Sequence, residues 1–230
     1  MALSRAGLPD GRALSVALKA ATILLGALGQ VLSLARSGFR MFPHFLYYTN
    51  ISNLLIIVLM LALLWHERDG SREGGRAKPS RALSFLRFPM IAGILLTFVG
   101  FSLLLLPRMS RDYLTSPDNL LVHFIVPLLA CADFVLTSGP PHGARRSLLQ
   151  GLLLPALYFL FSIALSLSGV RFAGGSAPYF FLDFQANGWF SAGGGKLGVF
   201  WWFFLLLALQ LFLSRLLLGL RESYGRQAVG

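Results

Sequence analysis

Apolar residues along this chain gather into six long blocks, separated by short stretches of charge, proline and glycine. Within each block hydrophobic side chains fall on all sides of a helix, whereas a soluble amphipathic helix would return a polar face every turn. Each block is near the roughly 20 residues that a helix needs to cross the hydrocarbon core. The pattern predicts spans at residues 13–35, 45–65, 88–107, 119–137, 148–170 and 197–219. The chain left between them is too short for a soluble domain. The expected fold class is therefore all-α: a polytopic membrane helical bundle, forming a single transmembrane domain over residues 1–230.

Composition agrees. Of 230 residues, 56% are hydrophobic and 13% charged, against about a quarter charged in soluble domains. The net charge of +11 comes from 20 Lys+Arg against 9 Asp+Glu, a balance that elsewhere would suggest nucleic-acid binding. Its distribution argues otherwise. Fourteen basic residues fall on one side of the expected topology, six of them (Arg68, Arg72, Arg76, Lys78, Arg81 and Arg87) in the second loop. The remaining six, Arg36, Arg40, Arg108, Arg111, Arg171 and Lys196, fall on the other. The positive-inside rule then puts both termini and the second and fourth loops in the cytoplasm. The charge reads as topology, with some attraction to anionic lipid, and no nucleic-acid partner is expected.

The N-terminus loosely imitates a cleavable signal, ending in Ser33-Leu34-Ala35. Its apolar run exceeds the usual length of roughly 7–15 residues, so a retained first helix is expected. The single cysteine, Cys131, lies inside the fourth span, and no zinc-ligand spacing occurs. No metal and no cofactor are expected. Loop 67–84 reads as a solvated connector without regular structure, and 139–146, with Pro140-Pro141, as a short turn. The fifth loop, 171–196, carries seven aromatic residues, among them Tyr179, Phe180 and Trp189. They serve either as interfacial anchors or as a lid over an outward-facing cavity, where irregular backbone is tolerated. No internal repeat of the transporter kind is evident.

Ionisable side chains inside a bilayer are costly and point to function by default. Here they are Lys19, His123 and Asp133, with uncharged Thr49, Asn50, Ser52 and Asn53 in the second span. The second and fourth spans run in the same direction. Thr49 and His123 each lie about four residues below the outer ends of their spans, roughly 6 Å down the helix. Asn53 shares a helix face with Thr49, and Asn119 shares one with His123. These four side chains can meet in one outward-facing pocket, or they can be polar glue between helices, worth about 0.6 kcal/mol per bond. Lys19 and Asp133 fall near the cytoplasmic ends of their spans. A structural ion pair is expected there, of Asp133 with Lys19, Arg145 or Arg146, and a proton relay is the alternative. Pro127 and Pro155 are expected to kink their helices.

Three motifs carry a resemblance. Phe45-Leu46-Tyr47-Tyr48-Thr49-Asn50-Ile51-Ser52-Asn53 resembles the second-helix motif of the androgen-induced-gene-like integral membrane proteins, and more closely that of their bacterial six-span relatives, the Pr-six-Pr membrane proteins. Asn119-Leu120-Leu121-Val122-His123, through Pro127 to Asp133, is similar to the second motif. Pro178-Tyr179-Phe180-Phe181-Leu182-Asp183 is similar to the aromatic motif before the last helix. The resemblance implies a multi-pass protein of a cell membrane, bacterial inner or plasma membrane. It also implies a threonine hydrolase, since animal members cleave esters between a fatty acid and a hydroxy fatty acid. Their essential Thr and His match Thr49 and His123. Asn50 and Asn53 follow the bacterial version of the motif, so substrate identity does not carry over.

On that reading His123 takes the Thr49 proton while the hydroxyl attacks a lipid ester. Asn53 or Asn119 donates to the oxyanion, and Asp183 orients the imidazole. The partners expected are membrane lipids and the ester substrate. The alternative is a transporter or small-ligand binder using the same polar pocket, and a structural or assembly partner whose pocket is only packing is a third reading.

Overall fold

A computed structural model of the chain describes residues 11–72, 80–138, 144–172 and 175–229. The glycine-rich middle of the second loop and the Pro140-Pro141 turn lie outside the described residues. Among the described residues six helices are long and apolar enough to cross a membrane, so the chain is a multi-pass all-α membrane protein. They are α1 (Gly11–Arg36), α2 (Tyr48–Arg72), α3 (Arg81–Arg108), α4 (Pro117–Thr137), α5 (Arg145–Leu167) and α6 (Val199–Val229). The α3 and α4 helices form the middle of the bundle. The α1 helix packs against α2 and α4, α2 against α3, and α5 and α6 close the far side of α3.

Helix ends differ from the hydropathy blocks where a polar contact extends or stops a helix. The α2 helix continues to Arg72, into the stretch expected to lack regular structure. It is held there by the Glu67 carboxylate, 2.9 Å from Lys19 of α1. The α3 helix starts at Arg81 because Ser80 caps it, its hydroxyl accepting from the Leu83 N–H at 3.2 Å. A break at Leu152 divides α5 into a first segment that ends at Gly151 and a second, Leu153–Leu167. Pro155 has no N–H to give the Gly151 carbonyl, and Gln210 of α6 supplies the missing donor at 3.0 Å.

Water drives little helix association inside a bilayer, so close approach and interhelical hydrogen bonds matter more. Gly29 lets α1 touch α4: a Cβ there would stand 2.9 Å from the Leu121 side chain. Ser52 and Thr97 join α2 to α3 through their hydroxyls at 2.8 Å. One apolar cluster, around Ile56, Met60, Ile91 and Val126, fills the bundle toward Lys19. A second, aromatic cluster lies toward Tyr48, where Tyr158, Phe159, Phe181 and Leu182 pack together. The fifth loop folds onto this end with a 3₁₀ turn at Phe180–Leu182, a helical turn at Phe184–Asn187 and a two-residue hairpin pairing Ala192–Gly193 with Lys196–Leu197.

Candidate active site

Thr49 is the second residue of α2. A helix leaves its first N–H groups unpaired and carries partial positive charge at that end. The Thr49 N–H is one of these, and it donates to the Tyr179 phenol of the fifth loop at 3.4 Å. The Thr49 hydroxyl lies 3.3 Å from Nε2 of His123.

His123 owes its position to a π turn, Leu121–Ile125, inside α4. Pro127 cannot donate to the His123 carbonyl four residues back, and its ring crowds that oxygen. The helix widens instead, and the Val126 N–H bonds to Leu121. This frees the Val122 carbonyl, which accepts from Asn53 Nδ2 at 3.0 Å. A second π turn, Phe101–Leu105, stands two residues before Pro107 on α3, the same offset. Its first residue lays a ring on the imidazole, with centroids 3.8 Å apart and planes at 27°. Single π turns of this kind gather at functional sites.

The imidazole's other nitrogen, Nδ1, is 3.3 Å from the Asn119 carbonyl. A carbonyl only accepts, so Nδ1 carries the hydrogen and Nε2 turns a lone pair toward the Thr49 hydroxyl. His123 is buried, between Phe101 and the α1–α2 side of the bundle. Thr49 lines a cleft of about 660 Å³ on the opposite side. Leu96, Leu104, Phe159, Phe203, Leu206 and Leu207 supply most of its apolar wall. Three phenols, Tyr48, Tyr158 and Tyr179, also line it. Tyr48 donates to the Gly93 carbonyl at 3.1 Å and Tyr158 to the Leu46 carbonyl at 3.0 Å. Burial pushes the Tyr179 hydroxyl up to about 12, against hydrogen bonding from Thr49 that opposes the shift.

The other expected site residues are placed differently from the roles foreseen for them. Asn53 donates to the Thr49 carbonyl at 2.8 Å as well as to Val122, so both of its amide hydrogens are spent, one within α2 and one joining α2 to α4. Asn119 donates to the Leu114 carbonyl at 3.1 Å. Asp183 caps the helical turn that follows it, accepting from the Gln185 and Ala186 N–H groups at 3.0 Å each and from Ser176 at 3.2 Å. The Nδ1 partner of His123 is the Asn119 carbonyl in its place. Of the aromatic loop residues singled out, Tyr179 lines the cleft. Phe180 lies under the Arg108 guanidinium, 3.5 Å from its centroid, and Trp189 stacks on Phe184 at 4.7 Å. Sequence reasoning missed Phe101. The signal available was Pro107, whose twin offset from a π turn matches that of Pro127.

At the far end of the bundle, Asp133 and Lys19 are both fully buried and 2.7 Å apart. Asp133 also takes Arg87 at 2.8 Å and the Thr137 hydroxyl at 3.0 Å, while Lys19 reaches Glu67 and Ser15. The pair expected from the sequence is present, and its second cation comes from α3 rather than from Arg145 or Arg146. Two cations and two carboxylates balance, which is how buried charge is retained in a low-dielectric interior.

No protein-family model matches the chain, and neither a curated protein nor a solved structure matches it.

Proposed function

We propose that this chain is an integral membrane hydrolase that cleaves fatty-acyl esters, with Thr49 as nucleophile and His123 as general base. The observation that carries the reading is the Thr49 hydroxyl, 3.3 Å from the lone pair of a tautomer-fixed imidazole and on the wall of an apolar cleft of about 660 Å³. A bare hydroxyl is a poor nucleophile at neutral pH and needs such a base, and in the absence of substrate these contacts are commonly long. The cleft offers an acyl chain aliphatic and aromatic walls and offers the ester carbonyl a polar end. Membership of the Pr-six-Pr group, a bacterial inner or plasma membrane, and an outward-facing Thr49 end belong to the same proposal. They rest on the sequence motifs and on the basic loops.

The chemistry balances with the groups present. Thr49 Oγ1 bonds to the ester carbon as its proton passes to His123 Nε2, and the carbonyl π pair moves to oxygen. When that pair returns, the carbon–alkoxy bond breaks and His123 gives its proton to the departing alcohol. Water then repeats the sequence on the threonyl ester, with His123 taking its proton and returning one to Thr49 as the fatty acid leaves.

The test compares purified wild type with Thr49→Ala and His123→Ala, using a fluorophosphonate probe and a panel of lipid esters. Labelling and turnover by the wild type alone support the hydrolase. Loss of general-base catalysis is worth about 10²–10⁴-fold in rate. If all three fold alike and none is labelled or active, catalysis is abandoned in favour of a pocket for binding or transport.

A further inference from the structure

The Thr49–His123 pair provides for proton transfer but supplies no donor to the developing oxyanion: the amide hydrogens of Asn53 are both engaged within the bundle, Asn119 gives one of its own to Leu114, and neither amide lines the cleft. We propose that the phenol of Tyr179 is the oxyanion donor of this site, an assignment that rests on the hydrolase reading.

Three phenols border the cleft, and two of them are committed: Tyr48 to the Gly93 carbonyl and Tyr158 to the Leu46 carbonyl. Tyr179 differs in kind. Its oxygen accepts from the Thr49 N–H at 3.4 Å, so the phenol lies against the nucleophilic residue itself. Its side-chain neighbour is the Thr49 hydroxyl, and unlike the protons of Tyr48 and Tyr158 its own is bonded to no backbone carbonyl among the described residues, so it can turn to a carbonyl oxygen in the cleft. The ring is held on both sides. It stacks on Phe181 with centroids 5.2 Å apart and planes at 5°, and the Tyr47 ring meets its edge at 5.9 Å. A donor fixed before the reaction needs no reorganisation as charge develops, and this gives oxyanion contacts their large effect.

The hydrogen bond into Tyr179 adds to this. The N–H that polarises the phenol belongs to the first turn of a helix that runs from Tyr48 to Arg72. The positive end of the helix therefore reaches the oxyanion through the chain N–H to Oη–H to O⁻. As Thr49 Oγ1 bonds to the ester carbon, the carbonyl electrons move onto an oxygen that accepts the Tyr179 hydrogen. When the tetrahedral centre collapses they return to the carbonyl and the phenol keeps its proton throughout. With its hydroxyl pushed up to about 12, Tyr179 remains a donor at neutral pH.

The decisive comparison is Tyr179→Phe against wild type and against Tyr224→Phe, which removes an exposed phenol that does not line the cleft. Each is assayed with a chromogenic acyl ester in micelles, alongside a trifluoromethyl ketone carrying the same acyl chain, which forms a tetrahedral anion on the nucleophile. Losing one oxyanion donor lowers kcat by about 10²–10³-fold. The expectation for Tyr179→Phe is a fall of that size with little change in KM, a matching loss of ketone affinity, and an unaltered melting temperature. Tyr224→Phe should leave the ketone affinity unchanged. A Tyr179→Phe enzyme with kcat within threefold of wild type overturns the assignment and leaves the hydrolase reading standing. A wild type as inert as Thr49→Ala overturns both. Should Tyr179→Phe fail to fold, 3,5-difluorotyrosine at position 179 keeps the ring and makes the phenol more acidic. The activity of that protein must then fall at a lower pH than wild type as the donor ionises, and an unshifted alkaline limb rules the phenol out.

Discussion

Replacing Asp133 by asparagine removes one charge from the buried cluster while nearly preserving shape. In the wild type its two oxygens take Lys19 at 2.7 Å and Arg87 at 2.8 Å, and both Asp133 and Lys19 have fully buried side chains. The variant leaves two cations facing one carboxylate, Glu67, whose side chain is 32% exposed. Breaking a buried ion pair by removing one partner costs about 3–5 kcal/mol. Because Glu67 remains 2.9 Å from Lys19, the lower end applies, about 3 kcal/mol. At about 2–4 °C per kcal/mol for a chain of this size, the melting temperature should drop by about 6–12 °C. Thermal unfolding in detergent, followed by tryptophan fluorescence and checked by size exclusion, measures this directly. The double variant Lys19→Met with Asp133→Asn removes one charge of each sign. It should lose less than the sum of the single variants, with a coupling of about 1 kcal/mol or more. An Asp133→Asn protein that melts within 2 °C of wild type, or strict additivity in the double variant, refutes the account of a mutually dependent buried cluster.

Two further perturbations probe contacts of other kinds. Gln210→Leu strips the side-chain donor from the Gly151 carbonyl that Pro155 leaves unpaired. It should cost about 0.6–1.7 kcal/mol, the range of hydrogen bonds between membrane helices, read in the same unfolding assay. Arg36→Gln breaks a two-pronged contact with Asp118, at 2.7 and 2.9 Å, but the arginine side chain is 47% exposed. Its loss should cost less than about 1 kcal/mol, and raising the salt concentration should narrow the difference further.

Much of this architecture was legible because a bilayer asks a simple question of sequence: whether a block is apolar and long enough. The same simplicity made depth readable, so Thr49 and His123 could be set in one layer before any helix contact was known. Their 3.3 Å contact follows from two parallel helices entering from one face. The roles of Asn53 and Asn119 were not legible in this way. An amide can serve a substrate or a backbone carbonyl, and the choice depends on which carbonyls have lost their helical partners. Pro127 created one such orphan at Val122, and Asn53 answers it. Asp183 was read as an orienting acid although the residues after it favour a helical turn that it caps. The fifth loop has no period, so nothing in its order of residues told Tyr179, against the cleft, from Phe180 and Trp189, which pack elsewhere.

The π turn in α4 has a consequence for the whole length of that helix. A π turn holds one residue more than the α-helix would use, and a single residue corresponds to about 100° of rotation. The part of α4 before the turn and the part after it are therefore out of phase by more than a quarter of a circle. His123 faces Thr49 and Phe101 from within the turn, and Asp133, in the later part, faces Lys19 and Arg87. In an uninterrupted α-helix of the same sequence, alignment of one would turn the other toward a different neighbour. The extra residue acts as a phase adjuster that lets a single helix serve two polar centres at opposite depths. Deleting one residue between Leu121 and Ile125 would restore regular helix and force the protein to keep one centre at the expense of the other.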